Sequence, residues 1–255
     1  MLTFSVPQII RITTACACVG IALGIGVWAS ARVVPTTVSQ GFEPIVVNKT
    51  KALQIVGTTK LQKDQDYVLK VTLKNVSAKN IVSYAYLAGQ AGITNNFALS
   101  EKLFAPGETT DEYVSYENLA TTGPEREAHI VLTAVWFTGG TGDGEPKFVK
   151  QLADEYAGLK EQAGRIVPLL HKALQDSDNE DHTLTQLELQ ISQLPVEETP
   201  VRQSVDYKLG RSTANRQFAL RVKELRESKH NSFGMNRKAE IAGTLAAWEQ
   251  ILMRF

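Results

Sequence analysis

The densest concentration of residues able to do chemistry is Gly139-Gly140-Thr141-Gly142-Asp143-Gly144-Glu145. Asp143 and Glu145 could offer carboxylate oxygens to calcium. No Lys-Ser/Thr pair follows, so this is not a phosphate-binding loop. A hairpin turn that needs positive φ values accounts for the glycines without a ligand and is the preferred reading. Asp176, Asp178 and Glu180 alternate as calcium-loop ligands do, but Asp181 stands where the loop needs glycine and Leu187 where it needs glutamate. A solvated turn is expected there. His129, His171, His182 and His230 show no i, i+4 pair of the kind that holds zinc on a helix. No Gly-x-Ser-x-Gly elbow occurs, so no nucleophile is singled out. Asp143, Glu145 and Glu155 are available acids without a motif around them. Arg211, Arg216, Arg221, Lys223 and Arg226, with Arg237 and Lys238 beyond, form a basic stretch. It could meet lipid headgroups or an acidic polymer, but a solvated helix face with Glu224 and Glu227 as counter-charges is preferred. The residues suggest no catalytic set, no metal site and no cofactor.

Composition narrows the partners. The chain of 255 residues carries 27 basic and 27 acidic side chains, which argues against a nucleic-acid surface. Its two cysteines, Cys16 and Cys18, both lie in an N-terminal apolar run from Ile12 to Trp28. Arg11 precedes that run, and Ala29-Ser30-Ala31 follows it. Small residues at Ala29 and Ala31 fit a signal peptidase, so cleavage is expected to leave Arg32 as the new N-terminus. The alternative is an uncleaved anchor formed by residues 12–28, the only route by which this chain would meet a membrane. The chain is expected to be exported, periplasmic or secreted, with anchoring in the membrane by residues 12–28 as the alternative; cleavage would leave it free of cysteine, as suits an oxidising compartment.

The elements that must position any site fall into two groups. From about Phe42 to Phe148 the pattern is that of short strands. Tyr67, Leu69, Val71 and Leu73 alternate with Val68, Lys70, Thr72 and Lys74 as in a half-buried strand. Other expected strands are Leu53–Thr58, Ile81–Leu87, Asn96–Leu99, Tyr113–Tyr116 and His129–Phe137, with turns at Ala105-Pro106-Gly107-Glu108 and Thr122-Gly123-Pro124. Two strands are apolar on both faces. Ile130, Leu132, Ala134 and Trp136 would share one face of the last strand, with Val131, Val135 and Phe137 opposite. Val82, Tyr84 and Tyr86 would share a face of Ile81–Leu87. A free-standing sandwich would leave one face polar, so something is expected to cover this sheet. The protein's own helices are one candidate. A protein or glycan partner in the cell envelope, meeting exposed Tyr84 and Tyr86 with Phe137, is the other.

The run Leu69-Lys-Val-Thr-Leu-Lys-Asn75-Val-Ser77, then Asn80-Ile-Val-Ser-Tyr84 and Pro106-Gly107-Glu108, resembles the immunoglobulin-like modules of bacterial exported proteins. With Ala134-Val-Trp136-Phe and Gly142-Asp143-Gly144-Glu145, the segment is similar to uncharacterised exported proteins in which such a domain precedes a helical tail. The resemblance implies fold and location but no activity. The inter-sheet cysteine pair of true immunoglobulin domains is absent here, and Trp136 lies on a late strand.

After Lys147 the period changes. Leu152, Tyr156, Leu159, Ala163, Ile166, Leu170 and Ala173 form a helical stripe, which Pro168 is expected to kink or interrupt. Leu184, Leu187, Ile191 and Leu194 form a second stripe that ends at Pro195. A third helix over Val201–Glu227 points Phe218, Val222 and Leu225 inward, with Gly210 weakening its first half. A fourth over Met235–Met253 points Ile241, Leu245, Trp248 and Leu252 inward. The reading is an α+β chain: signal peptide 1–31, linker 32–41, an immunoglobulin-like antiparallel β-sandwich over 42–148 and a helical region over 149–255. The expected function is that of an exported, non-enzymatic binding module. The alternatives are self-association through Ile241–Phe255, or a hydrolase site at the sandwich–helix boundary.

Overall fold

Alternating and doubly apolar segments build two sheets. The computed structural model describes residues 45–63, 66–89, 91–115, 129–175, 180–197, 203–228 and 237–255. The expected export segment with Ala29, Ala31 and Arg32, the linker 32–41, the turn at 122–124, the acidic residues 176–179 and His230 lie outside the described residues, as do the side chains of His129, Arg237 and Lys238. The strands are β1 Ile45–Asn48, β2 Leu53–Lys63, β3 Asp66–Asn75, β4 Ile81–Ala88, β5 Ala91–Asn96, β6 Thr109–Ser115, β7 His129–Phe137 and β8 Gly142–Gly144. One sheet runs β1-β7-β4-β5, with β8 also paired to β7; the other runs β2-β3-β6. Leu69, Val71, Leu73 and Val114 of the smaller sheet bury against Tyr84, Tyr86, Ile130, Leu132, Val135 and Phe137 of the larger.

The expected antiparallel arrangement is corrected at one edge. β1 runs parallel to β7, with Ile45 opposite His129 and Asn48 opposite Leu132, so the larger sheet is mixed. The two strands are far apart in sequence, and no hairpin dictates their direction. The expected strand Asn96–Leu99 is also corrected. The strand is β5, and it ends at Asn96, whose Oδ1 accepts from the backbone of Ala98 and turns the chain.

Two β-bulges redistribute the apolar faces. The pairing of β4 with β7 shifts between Ile81 and Ser83 and again between Ala85 and Tyr86, leaving Val82 and Thr133 as extra residues. Ile130, Leu132, Val135 and Phe137 therefore all face the smaller sheet, while Ala134 and Trp136 face outward. Likewise Val82 turns away from Tyr84 and Tyr86. Strict alternation would have placed these residues otherwise.

That outer face is covered by the chain's own helices: α1 Pro146–Gln175, α2 Glu180–Ser192, α3 Val205–Glu227 and α4 Arg237–Leu252. Ala85 and Ala134 pack on Leu152 of α1. Val82, Ala98 and Leu99 join the helical core of Leu159, Ile166, Leu170, Leu187, Phe218 and Leu245. Each fully buried leucine or isoleucine of the α1 stripe contributes about 1.5–3 kcal/mol. Pro168 does not interrupt α1. It sits on the exposed side, as does Gly164, whose carbonyl lacks the proline's N–H and can turn to water instead. Gly210 does not interrupt α3, and it lets that helix approach α1. A Cβ on Gly210 would stand 2.0 Å from the carbonyl oxygen of Glu155, and one on Gly158 would stand 2.0 Å from that of Tyr207. The two helices cross backbone to backbone at these residues. Among the described residues, no helix is long and apolar enough to cross a membrane.

Candidate functional site

Tyr84, Tyr86 and Phe137 do not form an exposed docking surface. They are 0%, 4% and 7% exposed, inside the layer between the sheets. The doubly apolar character of β4 reflects two buried faces, one against the smaller sheet and one against the helices. The phenols meet Glu112 of β6: Tyr84 donates to its Oε1, and Tyr86 donates to Oε2 at 3.2 Å. Asn95 Nδ2 donates to the Tyr84 oxygen at 3.1 Å. Burial pushes the Glu112 carboxyl up, against the opposing pull of hydrogen bonds from Tyr84, Asn95 and Tyr86. Burial, then the Glu112 charge, pushes both phenols well above their usual range. These groups satisfy one another across the sheets. Sequence reading missed Glu112, although the alternation of Thr109, Asp111 and Tyr113 outward with Val114 inward points it into the core.

The glycine-rich segment is a hairpin connection from β7 into β8. Gly139 and Gly140 take φ values of 90° and 78°. Asp143 Oδ2 accepts from the backbone of Lys51 at 2.5 Å and of Ala52 at 3.0 Å, so its carboxylate ties the start of β2 to β8. Glu145 pairs with Lys49. The residues behind the resemblance are likewise structural. Asn75, 0% exposed, donates to the carbonyls of Lys79 and Phe104 and accepts from Ser77, fastening the turn after β3 to the segment that leads into β6. Among the described residues, no group of three histidine, cysteine or acidic side chains could hold a metal.

The basic stretch on α3 is not a solvated face along its length. Arg211 is 0% exposed. Its Nε donates to Gln162 Oε1 at 3.0 Å and its Nη2 to the Pro195 carbonyl at 2.5 Å, with Glu161 3.5 Å from Nη1. Gln162 in turn donates to Asn215 at 2.6 Å, and Asn215 to the Leu194 carbonyl at 2.8 Å. This network clamps α1, α3 and the chain leaving α2. Arg221 donates to the Leu99 carbonyl at 2.6 Å and lies over the Phe218 ring, binding α3 to the turn after β5. Arg226 pairs with Glu188 of α2 at 3.1 Å. Among the histidines, His171 lies 3.3 Å from Glu249, joining α1 to α4, and His182 lines a shallow groove of about 260 Å³ between α1 and α2.

Glu155 is enclosed where the larger sheet meets the helices. It is 7% exposed, and Asn96 Nδ2 lies 3.4 Å from its Oε1. Burial first of all raises its carboxyl to about 7, and the charge of Asp206 adds to the rise. The position was legible: Glu155 falls three residues after Leu152 and four before Leu159, on the buried stripe.

Among the described residues, the smaller sheet has an exposed outer face. On the outer face of the smaller sheet, Tyr113 is 59% exposed and lies opposite Lys70, with Leu61 opposite Val68 nearby. Asp111 accepts from Thr72 at 2.7 Å and pairs with Lys70 at 2.9 Å. This face thus presents an aromatic ring, an aliphatic edge and a fixed ion pair. The chain matches no family model, no curated protein and no solved structure.

Proposed function

We propose that this protein is an exported, non-enzymatic binding module. In this reading an immunoglobulin-like sandwich is braced on one side by its helical region and meets a protein or glycan of the cell envelope with the other. One observation carries the reading: the larger sheet is covered by the chain's own helices, whereas the smaller sheet leaves Tyr113 and its polar neighbours open. An exposed tyrosine beside charged and aliphatic groups suits recognition of either partner. The candidate acids support a binding role over hydrolysis. Asp143 and Glu145 are engaged in the fold and Glu155 is enclosed. Ile241, Leu245 and Leu252 of the proposed self-association stripe are buried against the chain itself. Export rests on the apolar run ending at Ala29-Ser30-Ala31.

A photo-crosslinking amino acid placed at Tyr113 in intact cells of the native host tests this directly. The expected result is one reproducible envelope adduct, competed by excess unlabelled chain, on a mature protein beginning at Arg32. A chain retained in the cytoplasm with Met1 intact would overturn export. An exported chain with no adduct at Tyr113 would overturn the proposed surface.

A further inference from the structure

Glu155 stands at a seam. Its backbone carbonyl packs on Gly210 of α3 where the two helices cross backbone to backbone. Its carboxyl reaches across to Asn96, at the end of β5, where the chain turns under the helices. The groups that face it are unfavourable to a charge. Asp206, in the first turn of α3, is acidic and raises its affinity for a proton. On α1 itself, Lys150 pairs with Asp154 at 2.7 Å. From β5 comes only the uncharged Asn96, at 3.4 Å. Among the described residues its carboxylate meets one long hydrogen bond and no cation at ion-pair distance, and a charge enclosed in that way is costly.

We infer that Glu155 is a proton-operated latch on the seam between the helices and the five-stranded sheet: neutral, it lets the layers close; ionised, it favours their opening. The direction follows from linkage. A carboxyl that holds its proton more tightly in the folded chain contributes stability that is whole below its ordinary value of 4.5 and is lost as pH rises through about 7. The seam is therefore tight in mildly acidic surroundings and loosened in mildly alkaline ones.

Hydrogen exchange of the native chain, corrected for intrinsic rates, tests the latch at the amides of Phe97, Ala98, Gly210 and Arg211. Between pH 5.5 and 8.5 their protection is expected to fall by roughly 30-fold, the linkage limit for such a shift. The amides of Val71 and Leu73 in β3 should lack this Glu155-dependent fall, which separates a local opening from general destabilisation. Glu155→Gln should remove the fall. A flat profile in the native chain, or the same fall in Glu155→Gln, would overturn the proposal. If that variant does not fold, carbon-13 titration of the native Glu155 carboxyl decides: a midpoint near neutrality supports the latch, and one at the ordinary glutamate value refutes it.

Discussion

Gly158→Ala should destabilise the chain by about 3 kcal/mol or more, whereas Gly164→Ala, six residues along the same helix, should stabilise it by up to about 1 kcal/mol. Both replace glycine by the best helix former, so propensity alone predicts a gain twice. The surroundings separate them. A Cβ at Gly164 meets nothing within 4 Å, whereas one at Gly158 stands 2.0 Å from a backbone oxygen of α3. No rotamer change relieves a clash with main chain, so the helices must part and the packing of Leu159, Phe218 and their neighbours opens with them. Gly210→Ala should cost as much, since it meets the Glu155 carbonyl at the same crossing. Urea unfolding of the three variants checks this; equal effects at Gly158 and Gly164 would remove the close crossing from the account.

The second large effect is expected at Arg211. Arg211→Ala should lose about 3–5 kcal/mol, because it leaves a cavity and strips buried acceptors at Gln162 and Pro195 of their donor. Arg211→Lys should recover little of this. An ammonium is a point charge and cannot span a side-chain amide and a backbone carbonyl as a planar guanidinium does. For a chain of this size the loss corresponds to a fall of roughly 10 °C in Tm. Thermal unfolding of both variants measures it. A lysine variant as stable as the native chain would show that charge, not the forked geometry, holds the α1–α3–Pro195 junction.

These two sites show what the sequence could and could not disclose. The apolar stripe Leu152–Ala173 was readable because helical periodicity repeats over many turns, and so were the inward Phe218 and Val222. Gly158 and Gly210 were not readable as a pair, because each is an ordinary weak helix residue until the other is placed against it. Arg211 reads as one of a basic run. Its burial follows only from its spacing to Ala214, Asn215 and Phe218, a stripe in which polar residues interrupt the apolar signal. The strands were legible where polar and apolar residues alternate, as in β3. They were misread across the bulges at Val82 and Thr133, where an extra residue inverts the faces without any mark in composition. The short β1, β5 and β8 gave little signal, being three to six residues long or poor in apolar side chains.

The same limit governs the candidate surface. Apolar bulk on both sides of β4 signalled a covered sheet, but it could not say which tyrosines the cover would leave out. Tyr84 and Tyr86 went inside because Glu112, from a strand of the other sheet, supplies an acceptor for both phenols. Tyr113 stayed outside because its strand alternates and its face carries Lys70 and Asp111.

Hydroxyl-radical footprinting of the native chain tests this division between covered and open sheets most directly. Tyr113 should be modified readily in the folded protein, while Tyr84 and Tyr86 resist until the chain unfolds. Modification of Tyr84 and Tyr86 at the rate of Tyr113 in the folded state would contradict the arrangement and, with it, the assignment of the open face as the binding surface.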